Sequence, residues 1–508
     1  MAETKREIER KYEATADTRL PDLTRAAGVA SVTAEGVTEL DAVYYDTAGL
    51  RLAADSLTLR RRTGGSDAGW HLKFPVAAGV RDEIRAPLTE ALPPSLAGLL
   101  RSRVRHAGVI PVVRLRSSRD VRHLRDGHGT ILAELSVDTV RADRLLAGGS
   151  GDATAAWTEI EVELADDADP AVLDAVEKRL RKAGIHPSDA PSKLARALSE
   201  TGLEPERPAE TDADGTARAA VLAYVREQAE ALVRLDPAVR RDLPDAVHQL
   251  RVACRRLRSA FKTYRKVLDR DVTDPIGAEL KWLAGELGHA RDQEVLAARL
   301  GDALDGLDRE QLHGPVRGRL RTWDRARSTG SRRRALDALD SPRHLALLDA
   351  LDGLLADPPL RPGARKKAEK VLPKAIRRDY RRLADRIGPA LDLAPGHDRD
   401  LALHEARKAA KRARYAADAA VPTLGKPAKR FSKRMKSVQS LLGDHQDAVV
   451  ARGALRDLAA EAEEAGEPSF TWGVLYARQE AAAAAREREL PGVWERASAP
   501  DLRAALSR

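Results

Sequence analysis

An α+β chain of two unlike halves is predicted: a strand-rich N-terminal half, then an all-helical C-terminal half. Three observations predict it. Over residues 1–200, short runs of β-forming residues alternate in polarity and are separated by Gly, Pro and Asp. From about residue 217 onward, apolar residues recur at 3- and 4-residue spacing. The helical half also repeats itself. "AVHQLRVACRRLRSA", starting at Ala246, returns as "ALHEARKAAKRARYA" at Ala402, and "LGHARDQEV" (287–295) returns as "LGDHQDAVV" (442–450). A repeat near 155 residues is too long for a solenoid unit. It predicts two related helical bundles about a pseudo-twofold axis.

Taken in order, the first element is "EIERKYE", Glu7 to Glu13. As a strand it places Glu7, Glu9 and Lys11 on one face, because strand side chains alternate. "TELDAVYYDT" (38–47), "LTLRRRT" (57–63), "GWHLKFP" (69–75), "GTILAELSVDTV" (129–140) and "WTEIEVEL" (157–164) read as further strands. "PSLAGLLRSRV" (94–104) and "PAVLDAVEKRLRKAGI" (170–185) read as helices, the second with proline near its start and glycine near its end. Sequential strands with few crossovers predict an antiparallel sheet or barrel. Residues 203–216, "LEPERPAETDADGT", have linker composition. The predicted domains are therefore residues 1–202 and 217–500.

Charge divides the same way. The 508 residues carry a net +9, but residues 1–200 hold 29 Lys+Arg against 31 Asp+Glu. Residues 201–508 hold 58 against 47, so a polyanion partner is expected mainly there. One cysteine, Cys254, excludes an internal disulfide and a cysteine-rich metal site. The N-terminus lacks an apolar signal core, and no run of about 18 apolar residues appears. A soluble cytoplasmic protein without a membrane partner is expected.

The strands of the first half carry charges at alternate positions: Glu7/Glu9/Lys11, Arg60/Arg62, Arg81/Glu83/Arg85, Arg114/Arg116 and Glu159/Glu161/Glu163. The simplest reading is a solvated face opposite a core face. In "EIEVEL", however, three carboxylates in one row repel unless a cation lies between them. Glutamates supply hard oxygen ligands for Mg²⁺ or Mn²⁺, and Arg and Lys grip phosphate oxygens. A barrel lined with both would hold a metal–polyphosphate complex.

"EIERK" resembles the E-x-E-x-K signature of CYTH domains, the triphosphate tunnel metalloenzymes. The resemblance continues through "YYDT" (44–47), "LRRR" (59–62), "WHLK" (70–73), "SSRDVRHL" (117–124), "AELSVDTV" (133–140), "EIEVEL" (159–164) and "PSKLARAL" (191–198). It implies an eight-stranded antiparallel tunnel, with flanking helices, acting on triphosphates with Mg²⁺ or Mn²⁺. Glu7, Glu9, Asp138, Glu159, Glu161 and Glu163 would bind metal. Lys11, Arg60, Arg62, Lys73, Arg119 and Lys193 would bind triphosphate, together with Arg116, whose register, like that of Arg114, is ambiguous. In the implied mechanism one metal neutralises the triphosphate and a second positions water, while Lys11 orients or activates it. Lys11, Glu7 and Glu9 form the catalytic set. The short segment 59–69 favours inorganic triphosphate over a nucleotide.

In the helical half, His248, Arg251, Arg255, Arg258 and Lys262 step by 3 or 4 residues and share one helix face. His404, Arg407, Lys411 and Arg414 repeat the stripe. A solvated face would explain one such stripe. Two in register, each led by histidine, point to a shared polyanion. The pattern resembles the CHAD domain, the conserved-histidine α-helical domain. That resemblance implies two four-helix bundles binding inorganic polyphosphate through His248, Arg251, Arg255, Arg258, His404, Arg407, Lys411 and Arg414. Lys281 and Lys436 are secondary candidates. Arg291 in the first copy corresponds to Gln446 in the second.

The expected function is metal-dependent hydrolysis of inorganic triphosphate, or a related triphosphate compound, in the tunnel, with polyphosphate binding by the helical domain and, through it, a place for the protein in the cytoplasm or at polyphosphate granules. The alternatives are a non-catalytic polyphosphate-binding protein and a thiamine triphosphatase or adenylate cyclase activity of the tunnel. Nucleic acid fits poorly, because the helices lack aromatic interleaving and any DNA- or RNA-binding signature.

Overall fold

The computed structural model describes residues 3–147, 152–205 and 214–507, apart from the side chains of Glu3, His289, Ala290, Arg291 and Ser507. The chain divides into two compact units, Met1–Pro208 and Ala209–Arg508. Residues 206–213 of the expected linker lie outside the described residues. On either side of them, Leu203 packs in an apolar cluster of the first unit, and Thr216 caps the first helix of the second.

The first unit is a closed antiparallel barrel. Its strands are β1 (Glu3–Ala14), β2 (Ser31–Asp46), β3 (Thr58–Thr63), β4 (Gly69–Ala77), β5 (Val80–Ala86), β6 (Ile110–Arg125), β7 (Ile131–Arg144) and β8 (Thr154–Leu164). They close in the order β1-β5-β4-β3-β2-β6-β7-β8. Closure leaves no free edge. It also lengthens the strands beyond their apolar runs. β2 begins at Ser31 rather than residue 38, because it pairs with β6 from Ser31↔Arg125 to Asp46↔Ile110.

The barrel is inverted relative to an ordinary core, with polar side chains inside and an apolar coat outside. Ile160, Val162 and Leu164 of β8 pack with Val172, Leu173, Val176 and Leu180 of the helix Ala171–Lys182. Leu57, Leu59, Trp70, Leu72 and Ile84 pack with Leu96, Leu99 and Leu100 of the helix Pro94–Val104. One stretch of the interior is apolar instead. There Ala42, Tyr44, Leu115, Val140, Ala142 and Trp157 meet Leu194, Ala197 and Leu198 of the helix Lys193–Glu200. That helix therefore docks against the barrel lining, and its first residue, Lys193, enters the charged cavity.

The second unit is helical. Its first repeat comprises Ala217–Arg240, Ala246–Thr263, Arg270–Glu286, Gly288–Asp305 and Val316–Ser328. Two further helices, Ser331–Asp340 and Pro342–Ala356, lead to the second repeat: Ala368–Asp392, His397–Asp418, Lys426–Glu464 and Phe470–Ser498. Leu250, Cys254, Leu257 and Phe261 share one core with Leu403, Ala410, Ala413 and Ala417. The repeats differ where two first-copy helices meet at Leu287, since the second copy carries a single helix of 39 residues there. Among the described residues, no helix is long and apolar enough to cross a membrane.

Candidate functional site

Strand alternation and closure together build the tunnel lining. The lining of β1 is odd-numbered (Lys5, Glu7, Glu9, Lys11), that of β3 even (Thr58, Arg60, Arg62), and that of β8 odd (Glu161, Glu163). Lys73, Arg81, Arg85, Arg119 and Lys193 join them around a cavity of about 410 Å³. Glu161 stands opposite Lys11 on β1 and Ser136 on β7, while Glu159 stands opposite Asp138.

Asp138, Glu159 and Glu161 each offer an oxygen within 4.8 Å of the others, a hard-oxygen set suited to Mg²⁺ or Mn²⁺. The Lys193 ammonium lies 2.9, 2.7 and 2.6 Å from these three carboxylates. Arg119 grips Asp138 through two hydrogen bonds of 2.7 Å and donates a third, of 2.8 Å, to Glu161. Trp157 Nε1 donates to Glu159 Oε2 at 2.6 Å. Lys11 pairs with Glu161 and lies 3.2 Å from Glu9. Lys73 donates to Glu7 at 2.5 Å.

These neighbours set the protonation states. Burial opposes charge on Glu161, but Lys11, Lys193 and Arg119 outweigh it and hold its carboxyl well below the usual range. Burial likewise opposes charge on Asp138, which Lys193 and Arg119 hold low, and on Glu9, which Lys11, Lys73 and Lys193 hold low. Glu7 goes the other way. Its burial, reinforced by Glu83 and Glu163, prevails over Lys73 and raises its carboxyl. Burial alone would lower Lys11, but Glu161 and Glu9 raise it, so it stays protonated at neutral pH.

Most sequence-derived tunnel residues converge here, with one correction. Arg116 does not bind in the cavity. On β6 the lining residues are Arg119 and Val121, so Arg116 falls on the opposite face, half exposed and paired with Asp143. Arg114, on the same outer face, pairs with Asp41. Glu163 faces the cavity but bonds Lys5 at 2.7 Å rather than joining the carboxylate trio. The sequence reading left Glu83 without a role. It is fully buried and receives His71 at 2.9 Å and Arg85 at 2.5 Å, with Lys73 and Arg60 at 3.6 and 3.7 Å. The alternation Arg81/Glu83/Arg85 was the available signal.

The helical unit gathers a second set. Arg251, on the helix Ala246–Thr263, donates to both oxygens of Asp292 at 2.7 and 2.9 Å. Lys411, on the helix His397–Asp418, lies within the field of Arg407, Arg255 and Arg251. Burial and those arginines bring it down to about 7, against the pull of Asp447. The two stripes thus converge on one seam. Further along, Lys262 feels Arg258 and Arg412, and Arg412 feels Arg382 and Arg378, two cations the sequence reading missed. His404 Nδ1 donates to Gln446 Oε1 at 2.6 Å, and burial lowers its imidazole. His248 is exposed in the first turn of its helix, and Lys281 and Lys436 are exposed. Arg414 turns to Gln439 and Asp418, at 3.3 and 3.5 Å. The Arg291 side chain lies outside the described residues.

Residues 5–198 match the CYTH domain family and residues 223–456 the CHAD domain family. Over 497 residues the chain is 41% identical to the uncharacterized proteins MT2285 and Rv2226 of Mycobacterium tuberculosis (strains CDC 1551 / Oshkosh and ATCC 25618 / H37Rv). Those alignments cover 95% of this chain and 94% of each relative. Among solved structures it is similar to PptA from Streptomyces chartreusis, at 25% identity and TM-score 0.46, covering 56% of this chain and 100% of that one. It is also similar to the CHAD domain of the plant Ricinus communis, at 28% identity and TM-score 0.43, covering 56% and 95%. The chain belongs to the family of proteins in which a CYTH domain is followed by a CHAD domain.

Proposed function

We propose that the tunnel hydrolyses inorganic triphosphate, or a related triphosphate compound, with Mg²⁺ or Mn²⁺, and that the helical unit binds inorganic polyphosphate. The observation that carries this reading is the trio Asp138/Glu159/Glu161, whose Glu161 lines the same cavity as Lys11, Lys73, Arg60 and Arg119. Polyanion binding alone has no use for three buried carboxylates.

A divalent metal held by the trio, with Glu7 and Glu9 alongside, supplies charge neutralisation at the phosphate oxygens and polarises the attacking oxygen. The rest falls to this chain's own side chains. Arg60, Arg62, Lys73, Arg119 and Lys193 grip the phosphate oxygens, arginine in its fork geometry. Lys11, beside Glu161 and Glu9, orients or activates the attacking water. In the helical unit, Arg251, Arg255, Arg407 and Lys411 form the centre of the polyphosphate seam. Binding there would carry the protein to cytoplasmic polyphosphate granules.

Phosphate release from tripolyphosphate, long polyphosphate, ATP and thiamine triphosphate, each with Mg²⁺ or Mn²⁺, tests the reading. Release is expected to be fastest from tripolyphosphate and abolished by EDTA, with long-chain polyphosphate binding retained in EDTA. Metal-independent release, or none from any triphosphate, overturns it.

A further inference from the structure

Lys193 is anchored at its backbone, and its buried side chain extends into the cavity. It is the first residue of the helix Lys193–Glu200, whose Ser192 cap accepts from the Ala195 N–H at 3.0 Å. Its ammonium reaches the middle of the trio, 2.6 to 2.9 Å from one oxygen each of Asp138, Glu159 and Glu161. Those three residues are also the ones whose oxygens converge closely enough to ligate a cation.

Mg²⁺-type ligation sets oxygens about 2.0–2.1 Å from the ion. An ammonium at hydrogen-bond distance from the same oxygens claims the same space, and the two charges repel. Arg119 reaches two of the three carboxylates, Asp138 through both its oxygens and Glu161 through one, whereas the Lys193 ammonium reaches all three. Lys193 can leave, because a lysine is a compact charge on a flexible four-carbon stem. Its other charged neighbours include Arg119, and it lies within the field that Tyr44 and Lys11 feel. An ammonium leaving the trio thus moves into the cation-lined part of the cavity, where a phosphate is its natural partner.

We propose that Lys193 is a displaceable counter-ion, whose ammonium holds the trio together and yields it to a divalent cation while turning to the triphosphate. The inference rests on the tunnel reading above and extends it. Metal without triphosphate leaves an unpaired ammonium among cations, and triphosphate without metal faces three carboxylates. The two ligands therefore bind with positive coupling, equal in both directions by linkage, and Lys193 carries part of that coupling as a positioning residue.

The test is a Mn²⁺ titration of the full chain followed by electron paramagnetic resonance, with and without an imido-bridged tripolyphosphate that resists hydrolysis. In the wild type, the analogue is expected to tighten Mn²⁺ binding. Lys193→Met is expected to bind Mn²⁺ about tenfold more tightly without the analogue, a change of about 1.4 kcal/mol, and to lose most of the coupling. Unchanged or weaker Mn²⁺ binding by Lys193→Met overturns the proposal, because a lysine that only grips phosphate predicts that result. Should that variant fail to fold, amine labelling of wild-type Lys193, read by mass spectrometry, decides. Labelling is expected to rise with Mn²⁺ alone and fall when the analogue is added; no Mn²⁺-dependent change overturns the proposal. Absence of Mn²⁺ binding to the wild type in both conditions refutes the tunnel reading itself, whereas binding that is indifferent to Lys193 refutes only this inference.

Discussion

Arg251 lies across Gly288. A Cβ built on that glycine would stand 3.0 Å from the Arg251 Nη2, and Arg407 repeats the relation over Gly443 at 3.5 Å. The repeated glycine is therefore a saddle for the repeated arginine. In the first copy Asp292, four residues on, then fixes the guanidinium with two hydrogen bonds.

The two glycines should respond differently to alanine. Gly443 lies inside a long helix, and its Cβ would make only ordinary contact, so Gly443→Ala is expected to raise helix stability by up to about 1 kcal/mol. Its polyphosphate affinity should stay within about twofold. At Gly288 the tighter contact pushes Arg251 aside, and Gly288→Ala is expected to weaken binding roughly threefold or more, part of one charge-assisted hydrogen bond. Thermal unfolding and polyphosphate titration of both variants check this. Wild-type affinity in Gly288→Ala would show that the saddle has no role in binding.

On β6, Arg119→Ala and Arg116→Ala should separate cleanly. The first removes a cation bound to Asp138 and Glu161, and is expected to lower phosphate release about 10²-fold or more. The second breaks a surface pair with Asp143, a contact generally of about 0–1 kcal/mol, and should leave release near wild type. Steady-state kinetics on tripolyphosphate read both.

Trp157 orients Glu159 through its indole N–H. Trp157→Phe keeps most of the ring and removes the donor. The metal concentration for half-maximal activity is expected to rise about 10-fold, the scale of lost outer-shell contacts to ligands. Its rate at saturating metal should change less. A pure kcat loss with unchanged metal dependence would contradict this role.

Lys411 makes the helical seam pH-sensitive. Its ordinary value is 10.5, and burial with Arg407, Arg255 and Arg251 brings it to about 7 in the folded chain. Between those values the unfolded chain binds the extra proton and the folded chain does not. Stability therefore rises with pH across that window, with no slope from this group below about 7. A polyanion reverses the preference by favouring the charged amine. At pH 8, polyphosphate binding is expected to take up as much as one proton, and affinity should fall as pH rises. Calorimetry in two buffers of different ionisation heat measures the uptake, and Lys411→Met should remove it.

The legible parts of the site were those with a period. "EIERK" and "EIEVEL" alternate charged with apolar residues, and the structure places their carboxylates in the cavity or against its trio while Ile160, Val162 and Leu164 face the helix coat. β6 resisted the same reading because it carries arginines on both faces: Arg114 and Arg116 on one, Arg119 on the other. Alternation divides such a strand into two sets without saying which is inside. Glu83 was visible in an alternating row, but its four cationic or imidazole neighbours come from β3, β4 and its own strand, and only pairing across the sheet brings them together.

By itself the sequence determined the division into a strand half and a helical half, the doubled His/Arg stripe, and the alternation that makes a two-sided strand. These are local periods, set by the 2-residue pleat and the 3.6-residue turn. Tertiary structure alone decided which face is lining and which ions are partners. A barrel acquires an inside only on closing, and a helical seam exists only when two helices pack. That is why Lys193 was readable as a site residue while the three carboxylates around its ammonium were not readable as its partners. It is also why Arg255 and Lys411, 156 residues apart in sequence, share one field only in the folded chain.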